Sequence, residues 1–160
     1  MSFLNKIHAE SKAIFKKALV SWVEGRSKDL LQLYNEKPEY FPTSKPSTKI
    51  MYRAVGLYEG TFNDIMDGGS VQPQLLESWT SSKSAVMKHM KHLLTIDEDL
   101  VAIFESKPKK ILLKVYDYLT PSDADFDYSS EEEYIVVGES LAKNSLLLVK
   151  DDGGEYWYTE

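Results

Sequence analysis

The 160-residue chain contains no cysteine, and this absence excludes three kinds of chemistry. Disulfide frameworks, thiolate zinc sites and cysteine nucleophiles all require a thiol. Basic residues are also in the minority, because 19 lysines and arginines stand against 25 acidic residues for a net charge of −6. Such a chain is not suited to general binding of a phosphate backbone, so nucleic acid is not expected as a partner.

Long apolar runs and glycine-rich phosphate loops are missing as well. No segment approaches the roughly 18 consecutive apolar residues that cross a bilayer, and charged residues interrupt residues 1–25, unlike a signal peptide. We therefore expect a cytoplasmic protein that does not bind membranes. Neither G-x-x-x-x-G-K-S/T nor G-x-G-x-x-G occurs. The three histidines form no metal-ligand pattern, so no metal is expected.

What the chain does contain is enough apolar material for the core of one domain, with 42% hydrophobic residues. Residues 1–48 are predicted to form a helical segment and a connector. Ser27 is expected to cap the second helix, and three prolines exclude a continuous helix through the connector. Apolar side chains of the first helix recur at helical spacing and are expected to face a core; they are Leu4, Ile7, Ile14, Phe15, Ala18, Leu19, Trp22 and Val23.

Residues 49–160 have a different pattern, rich in strand-forming residues. KIMYRAVGLY and LLESWTSS favour strands, a helix follows at about 82–94, and five strand candidates then come in succession. The sequence DDGG at 151–154 predicts a hairpin turn between the last two strands. Helices followed by mostly consecutive strands indicate an α+β domain, not a parallel doubly wound sheet.

Acidic residues cluster before one of these strands, with no lysine or arginine between Asp117 and Glu133. Most charge runs are solvated loops, but this one leads from Glu131-Glu132-Glu133 directly into the apolar YIVV. In a strand, Glu131 and Glu133 would share one face and Glu132 would lie on the other. Two neighbouring carboxylates repel each other, and a bound cation or polar ligand would relieve that repulsion.

Two further segments place polar residues in apolar surroundings. Arg53 is a single cation within MYRAVG, and a buried charge is normally paired or functional because burying it alone is costly. The sequence SWT ends a strand and precedes a helix. Strand alternation puts Ser78 and Thr80 on one face and Trp79 on the other.

Taken in order, Tyr52-Arg53, Ser78-Trp79-Thr80 and the Glu131–Glu133 triplet resemble the R-S-E signature of the mono-ADP-ribosyltransferases, in their arginine-specific, toxin-like branch. The resemblance covers residues 49–160. It implies a split β-sandwich to which the N-terminal helices are an appendage. The middle motif departs from the commoner Ser-Thr-Ser by having Trp79 at its centre, and the Phe-x-x-Arg loop of some members is not found.

The resemblance also implies roles for individual residues around NAD⁺, which is a substrate in this family. Arg53 would hold its phosphates or ribose, with Tyr52 and Thr80 as further NAD⁺-binding residues. Ser78 would fix the rotamer of Glu133. Glu133 would stabilise the oxocarbenium-like state that forms as nicotinamide leaves.

The acceptor side of the reaction falls to other residues. By the same resemblance, Glu131 would orient or deprotonate an arginine of a target protein. Phe126 and Tyr128, in the loop 119–130, would offer aromatic faces to its guanidinium, or they would pack under the loop. Two other functions stay open: an NAD⁺ glycohydrolase with water as acceptor, and a non-catalytic module that binds a basic partner. We expect a monomer, and either a bacteriophage enzyme that modifies host proteins or a bacterial effector.

Overall fold

The computed structural model describes residues 3–93, 99–123, 132–151 and 153–158. Within these ranges it contains four α-helices: α1 (Phe3–Val23), α2 (Lys28–Glu36), α3 (Glu59–Met66) and α4 (Lys83–Leu93). Its β-strands there are β1 (Met51–Leu57), β2 (Ser70–Val71), β3 (Leu76–Thr80), β4 (Leu100–Ser106), β5 (Ile111–Lys114), β6 (Glu133–Val137), β7 (Leu141–Ala142), β8 (Leu146–Asp151) and β9 (Gly154–Trp157). None of these helices combines the length and apolarity needed to span a membrane.

Seven strands form one sheet in the order β5-β6-β3-β1-β4-β8-β9, and β2 pairs with β7 separately. Every pairing between these strands is antiparallel. The prediction of an α+β domain in place of a parallel doubly wound sheet is therefore confirmed. The predicted hairpin is also present, because Asp151 pairs with Gly154 and its carboxylate accepts hydrogen bonds from the backbone of Gly153 and Gly154.

The sheet is nearly divided at its centre. β1 pairs with β4 along its whole length, and β3 pairs with β6 over five positions. Between β1 and β3, in contrast, the only paired position is Tyr52 opposite Thr80 among the residues described. Beyond this position β1 and β3 separate, and residues of both strands border the gap between them.

Helices pack against the two parts of the sheet in separate clusters. α1 and α2 pack with β3, β5 and β6 through residues such as Leu19, Leu30 and Ile135. α4 packs with β4 and β8 through Val86 and Met90. A third cluster draws on both parts of the sheet, combining Trp79 and Tyr134 from one with Met51, Phe104 and Leu146 from the other. The two parts of the sheet thus share one apolar core.

The first helix agrees with its predicted apolar face in most of the positions described. Phe15, Ala18, Leu19 and Val23 are buried. Ile14 was wrongly assigned to that face, because half of its side chain is exposed. Trp22 is half-buried and has a polar partner, described below. The side chains of residues 3–8 lie outside the description.

Helix ends follow the local sequence signals in part. Gly25 has a φ of 88°, the left-handed conformation that glycine adopts easily after a helix. Ser82 caps α4, because its hydroxyl accepts a hydrogen bond from the Ala85 N–H at 3.1 Å. Ser27 precedes α2 as predicted, but its side chain makes no capping hydrogen bond.

Candidate functional site

A cavity of about 380 Å³ lies where β1 and β3 part. This volume is within the range of small-molecule sites, roughly 300–1,000 Å³. The polar side chains that line it come from β1, β3, β6, α4 and the segment before β3: Tyr52, Arg53, Gln74, Ser78, Thr80, His89 and Glu133. Five of the residues singled out in the sequence, Tyr52, Arg53, Ser78, Thr80 and Glu133, therefore share one cavity.

Glu133 is held by two hydrogen bonds that end on the same oxygen. The Ser78 hydroxyl donates to Oε2 at 2.7 Å, and the Trp22 indole Nε1–H donates to Oε2 at 2.8 Å. The Ser78 bond follows from the strand register, in which Thr80 lies opposite Glu133 and Ser78 is its diagonal neighbour on the same face. The second carboxylate oxygen, Oε1, takes no part in these two hydrogen bonds.

The environment of Glu133 acts on its charge in two directions. Burial raises the pKa of the Glu133 carboxyl above its ordinary value, because desolvation disfavours the ionised form. The hydrogen bonds from Ser78 and Trp22 act against this rise in pKa, because both stabilise the carboxylate. The two donors thus favour the ionised form in a place where burial alone would favour the protonated one.

Arg53 is half-buried on β1, and its Nη1 donates to the backbone oxygen of Ser78 at 3.3 Å. Desolvation lowers the pKa of the guanidinium, and the negative charge of Glu77 opposes that shift. The ion pairs found within the described ranges do not include Arg53. A guanidinium in a cavity with a neutral carbonyl as its hydrogen-bond partner is suited to accept an anion.

Glu77 is a buried carboxylate that the sequence analysis missed. Only 3% of the residue is exposed, and its two oxygens accept hydrogen bonds from the Trp79 indole and the Gln74 backbone, both at 3.1 Å. Trp79 is itself 1% exposed, on the face opposite Ser78, as strand alternation predicted. The glutamate and the tryptophan therefore form a hydrogen-bonded layer under the strand that carries Ser78. The signal in the sequence that could have indicated this buried carboxylate is an acidic residue directly before SWT in a predicted strand.

Two other predicted NAD⁺-binding residues also lie at the cavity. Tyr52 is half-buried and packs beside the α4 cluster. The Thr80 hydroxyl accepts a hydrogen bond from the Ser82 backbone N–H at 3.0 Å, which ties the end of β3 to the start of α4. His89, an exposed residue of α4, lines the cavity too.

The acidic triplet is only partly described. Glu131, Phe126 and Tyr128 lie outside the described residues. β6 begins at Glu133, so Glu132 precedes the strand, with a φ of 46°. Its carboxylate accepts a 2.7 Å hydrogen bond from the Ser81 hydroxyl. The expectation that strand alternation sets the direction of Glu132 was wrong, because this residue is not in the strand.

The described residues contain no cluster of three or more acidic or histidine side chains that could hold a metal ion. No protein-family model, curated protein or solved structure matches the chain. The chemistry of the site is therefore inferred from its own geometry. A half-buried carboxylate that is held through one oxygen lies in the same cavity as a guanidinium, and these groups can bind a substrate that carries both a phosphate and a developing positive charge.

Proposed function

We propose that this protein is a mono-ADP-ribosyltransferase that transfers ADP-ribose from NAD⁺ to a protein side chain, with arginine as the acceptor. The observation that carries the proposal is the 2.7 Å hydrogen bond from Ser78 to Glu133 in the cavity that Arg53 lines. These three residues are the described members of the R-S-E pattern, and they come from three different strands, β1, β3 and β6.

Arg53 would bind the pyrophosphate of NAD⁺. The planar fork of its guanidinium matches phosphate oxygens with two parallel hydrogen bonds. Its half-burial strengthens that attraction, because charges interact more strongly where water is excluded. The gap between β1 and β3 supports this assignment, since an extended dinucleotide needs a cleft that is open at the surface.

Glu133 would act on the nicotinamide ribose. The bond between the ribose C1′ and the nicotinamide nitrogen breaks, and nicotinamide leaves with the bonding electron pair. The ribose ring then carries positive charge, and the Glu133 carboxylate stabilises it, as carboxylates do in glycosidases. Ser78 would keep the carboxylate in the required rotamer.

The acceptor nitrogen of an arginine would then attack C1′ and form the new bond. A protonated guanidinium is a poor nucleophile, so a base must take a proton from it during attack. We assign this role to Glu131 on the resemblance to Glu-x-Glu enzymes of this family. The aromatic residues Phe126 and Tyr128 remain candidates for contact with the acceptor.

The core supports the corresponding fold, a split β-sandwich with N-terminal helices. The two parts of the sheet meet at one paired position and share one apolar cluster. The target would be a protein in the cytoplasm of a bacterial host or of a recipient cell, which fits either a bacteriophage enzyme or a delivered effector acting as a monomer.

The test is incubation of the purified chain with labelled NAD⁺ and a bacterial lysate, followed by mass spectrometry of labelled proteins. The matched control is the Glu133→Gln variant. Label on an arginine of a discrete protein, absent with the variant, is the expected result. Nicotinamide release without labelled protein would identify a glycohydrolase instead. A chain that releases no nicotinamide and labels nothing would overturn the proposal and favour a binding module.

A further inference from the structure

Trp22 connects the N-terminal helix to the candidate site across 111 positions of sequence. It lies in the last turn of α1, and its indole Nε1–H donates to Glu133 Oε2 at 2.8 Å. An indole N–H can donate but not accept, so its partner must be an acceptor. A hydrogen bond from a neutral donor to a carboxylate is among the stronger ones in proteins.

The position of Trp22 is fixed by the packing of its helix. Its neighbours Ser21 and Val23 are buried, and α1 packs through Phe15 and Leu19 into the core beneath β5 and β6. A side chain on a packed helix is held more accurately than one on a loop. The indole thus approaches Glu133 from a helix, whereas the Ser78 hydroxyl approaches from the neighbouring strand.

We infer that Trp22 is a positioning residue of the proposed enzyme, holding Glu133 Oε2 together with Ser78 so that Oε1 is presented to the nicotinamide ribose. This inference rests on the proposed function. It makes α1 a part of the active site, whereas the family resemblance implied only an appendage. Removal of either donor should loosen the carboxylate rotamer and disfavour its ionised form.

Other ionisable groups share the cavity and must be considered in any pH measurement. Arg53 faces it from β1, and His89 faces it from α4. Tyr52 of β1 also lines it. Trp22 itself does not titrate. If substitution of Trp22 shifts only the part of the pH profile that reflects protonation of Glu133, the shift reports the loss of the hydrogen bond from Trp22.

The test is Trp22→Phe, which keeps an aromatic ring in the packing and removes the N–H donor together with part of the indole ring. We expect kcat for nicotinamide release to fall roughly ten-fold to a hundred-fold, as for loss of one hydrogen bond to a charged group. KM for NAD⁺ should change little. The acidic limb of the pH profile should move to higher pH, a readout that a purely structural role for Trp22 would not shift.

The matched control is Trp157→Phe, because Trp157 is 52% exposed on β9 and does not line the cavity. A second measurement needs no variant of Trp22. In the wild-type chain, the indole N–H resonance of Trp22 should titrate with the Glu133 carboxyl in NMR spectra, and this titration should vanish in Glu133→Gln.

The outcomes separate the two proposals. An active wild type, with Trp22→Phe unchanged in rate and pH profile, would overturn the positioning role alone. An indole resonance that does not respond to Glu133 would overturn it as well. A wild-type chain that releases no nicotinamide would overturn the proposed function and this role with it.

Discussion

Ser78 and Glu133 lie diagonally on neighbouring antiparallel strands, and a 2.7 Å hydrogen bond joins the hydroxyl of one to the carboxylate of the other. Both strands are fixed by ladder hydrogen bonds, so the distance between the two side chains is set by the sheet and not by a loop. A carboxylate fixed in this way loses little entropy when a substrate binds. The pair is therefore the first place to test the proposed chemistry.

Substitution of Ser78 by alanine should lower turnover more than it changes NAD⁺ affinity. In this variant Glu133 keeps the hydrogen bond from the Trp22 indole but loses the one from Ser78. The carboxylate is therefore less well oriented in the transition state. We expect kcat for nicotinamide release to fall by roughly ten-fold or more. The control is Ser81→Ala, because the Ser81 hydroxyl donates to Glu132, which does not line the cavity. A wild-type rate of nicotinamide release in Ser78→Ala would show that Ser78 has no role in turnover.

Arg53→Lys should weaken NAD⁺ binding while leaving the fold intact. Lysine keeps the positive charge but cannot make two parallel hydrogen bonds to a phosphate. We expect a loss of about ten-fold or more in affinity by calorimetry, as for one charged hydrogen bond. Arg26, the other arginine in the chain, is exposed and paired with Glu24, so Arg26→Lys is the matched control. Equal NAD⁺ affinities for Arg53→Lys and wild type would mean that Arg53 is purely structural.

Local sequence patterns predicted most of the elements that carry the site. Segments rich in strand-forming residues identified β1, β3 and β6, and strand alternation placed Trp79 opposite Ser78. The helix predicted at about 82–94 corresponds to α4, Lys83–Leu93. These features depend on neighbouring residues, whose effect on backbone and side-chain direction can be read from short windows.

Features that depend on distant parts of the chain were not predicted. The partner of Glu133 on α1 and the burial of Glu77 arise from tertiary packing, and nothing near Trp22 in sequence indicates a carboxylate. The short helix α3 and the β2–β7 pair were missed because their segments are brief and weakly periodic. Glu132 was assigned to a strand that begins one residue later.

Gly138 is predicted to be required for the layer beneath the site. A Cβ at this position would overlap the backbone oxygen of Gln74 and lie 3.0 Å from Cδ of Glu77. Gly138→Ala should therefore lower the free energy of unfolding by about 1–3 kcal/mol, measured by denaturant titration. Gly60, within α3, has open space around it, so Gly60→Ala should be neutral or stabilising by up to about 1 kcal/mol. Equal stability of the two variants would contradict this account.

The acidic residues before β6 should separate into different roles. Glu131→Gln should retain NAD⁺ hydrolysis and lose transfer to arginine, because it removes the proposed base for the acceptor. Glu132→Gln should behave nearly like wild type, because Glu132 does not line the cavity and bonds to Ser81. Nicotinamide release and ADP-ribosyl-arginine formation are measured side by side on each variant. An inactive Glu132→Gln beside an active Glu133→Gln would show that the roles are assigned one residue out of register.

Glu133→Gln should abolish both activities and at the same time stabilise the fold. Loss of the carboxylate removes the charge that stabilises the ribosyl cation, so nicotinamide release should fall by at least about a hundred-fold. The amide oxygen can still accept the hydrogen bonds from Ser78 and Trp22, and the cost of burying a charge disappears.

The stabilisation should depend on pH with a definite sign. Burial raises the pKa of Glu133 in the folded protein above its value in the unfolded chain, so the folded state binds this proton more tightly. The contribution of Glu133 to stability is therefore greatest at low pH and is lost as pH rises through the raised pKa. Glu133→Gln should accordingly melt at a higher temperature than wild type at neutral pH, and the difference should shrink below the ordinary pKa of glutamate. Glu10→Gln, on the exposed surface of α1, is the control. A Glu133→Gln variant that is less stable than wild type at neutral pH would show that its carboxylate stabilises the fold, contrary to the burial that raises its pKa.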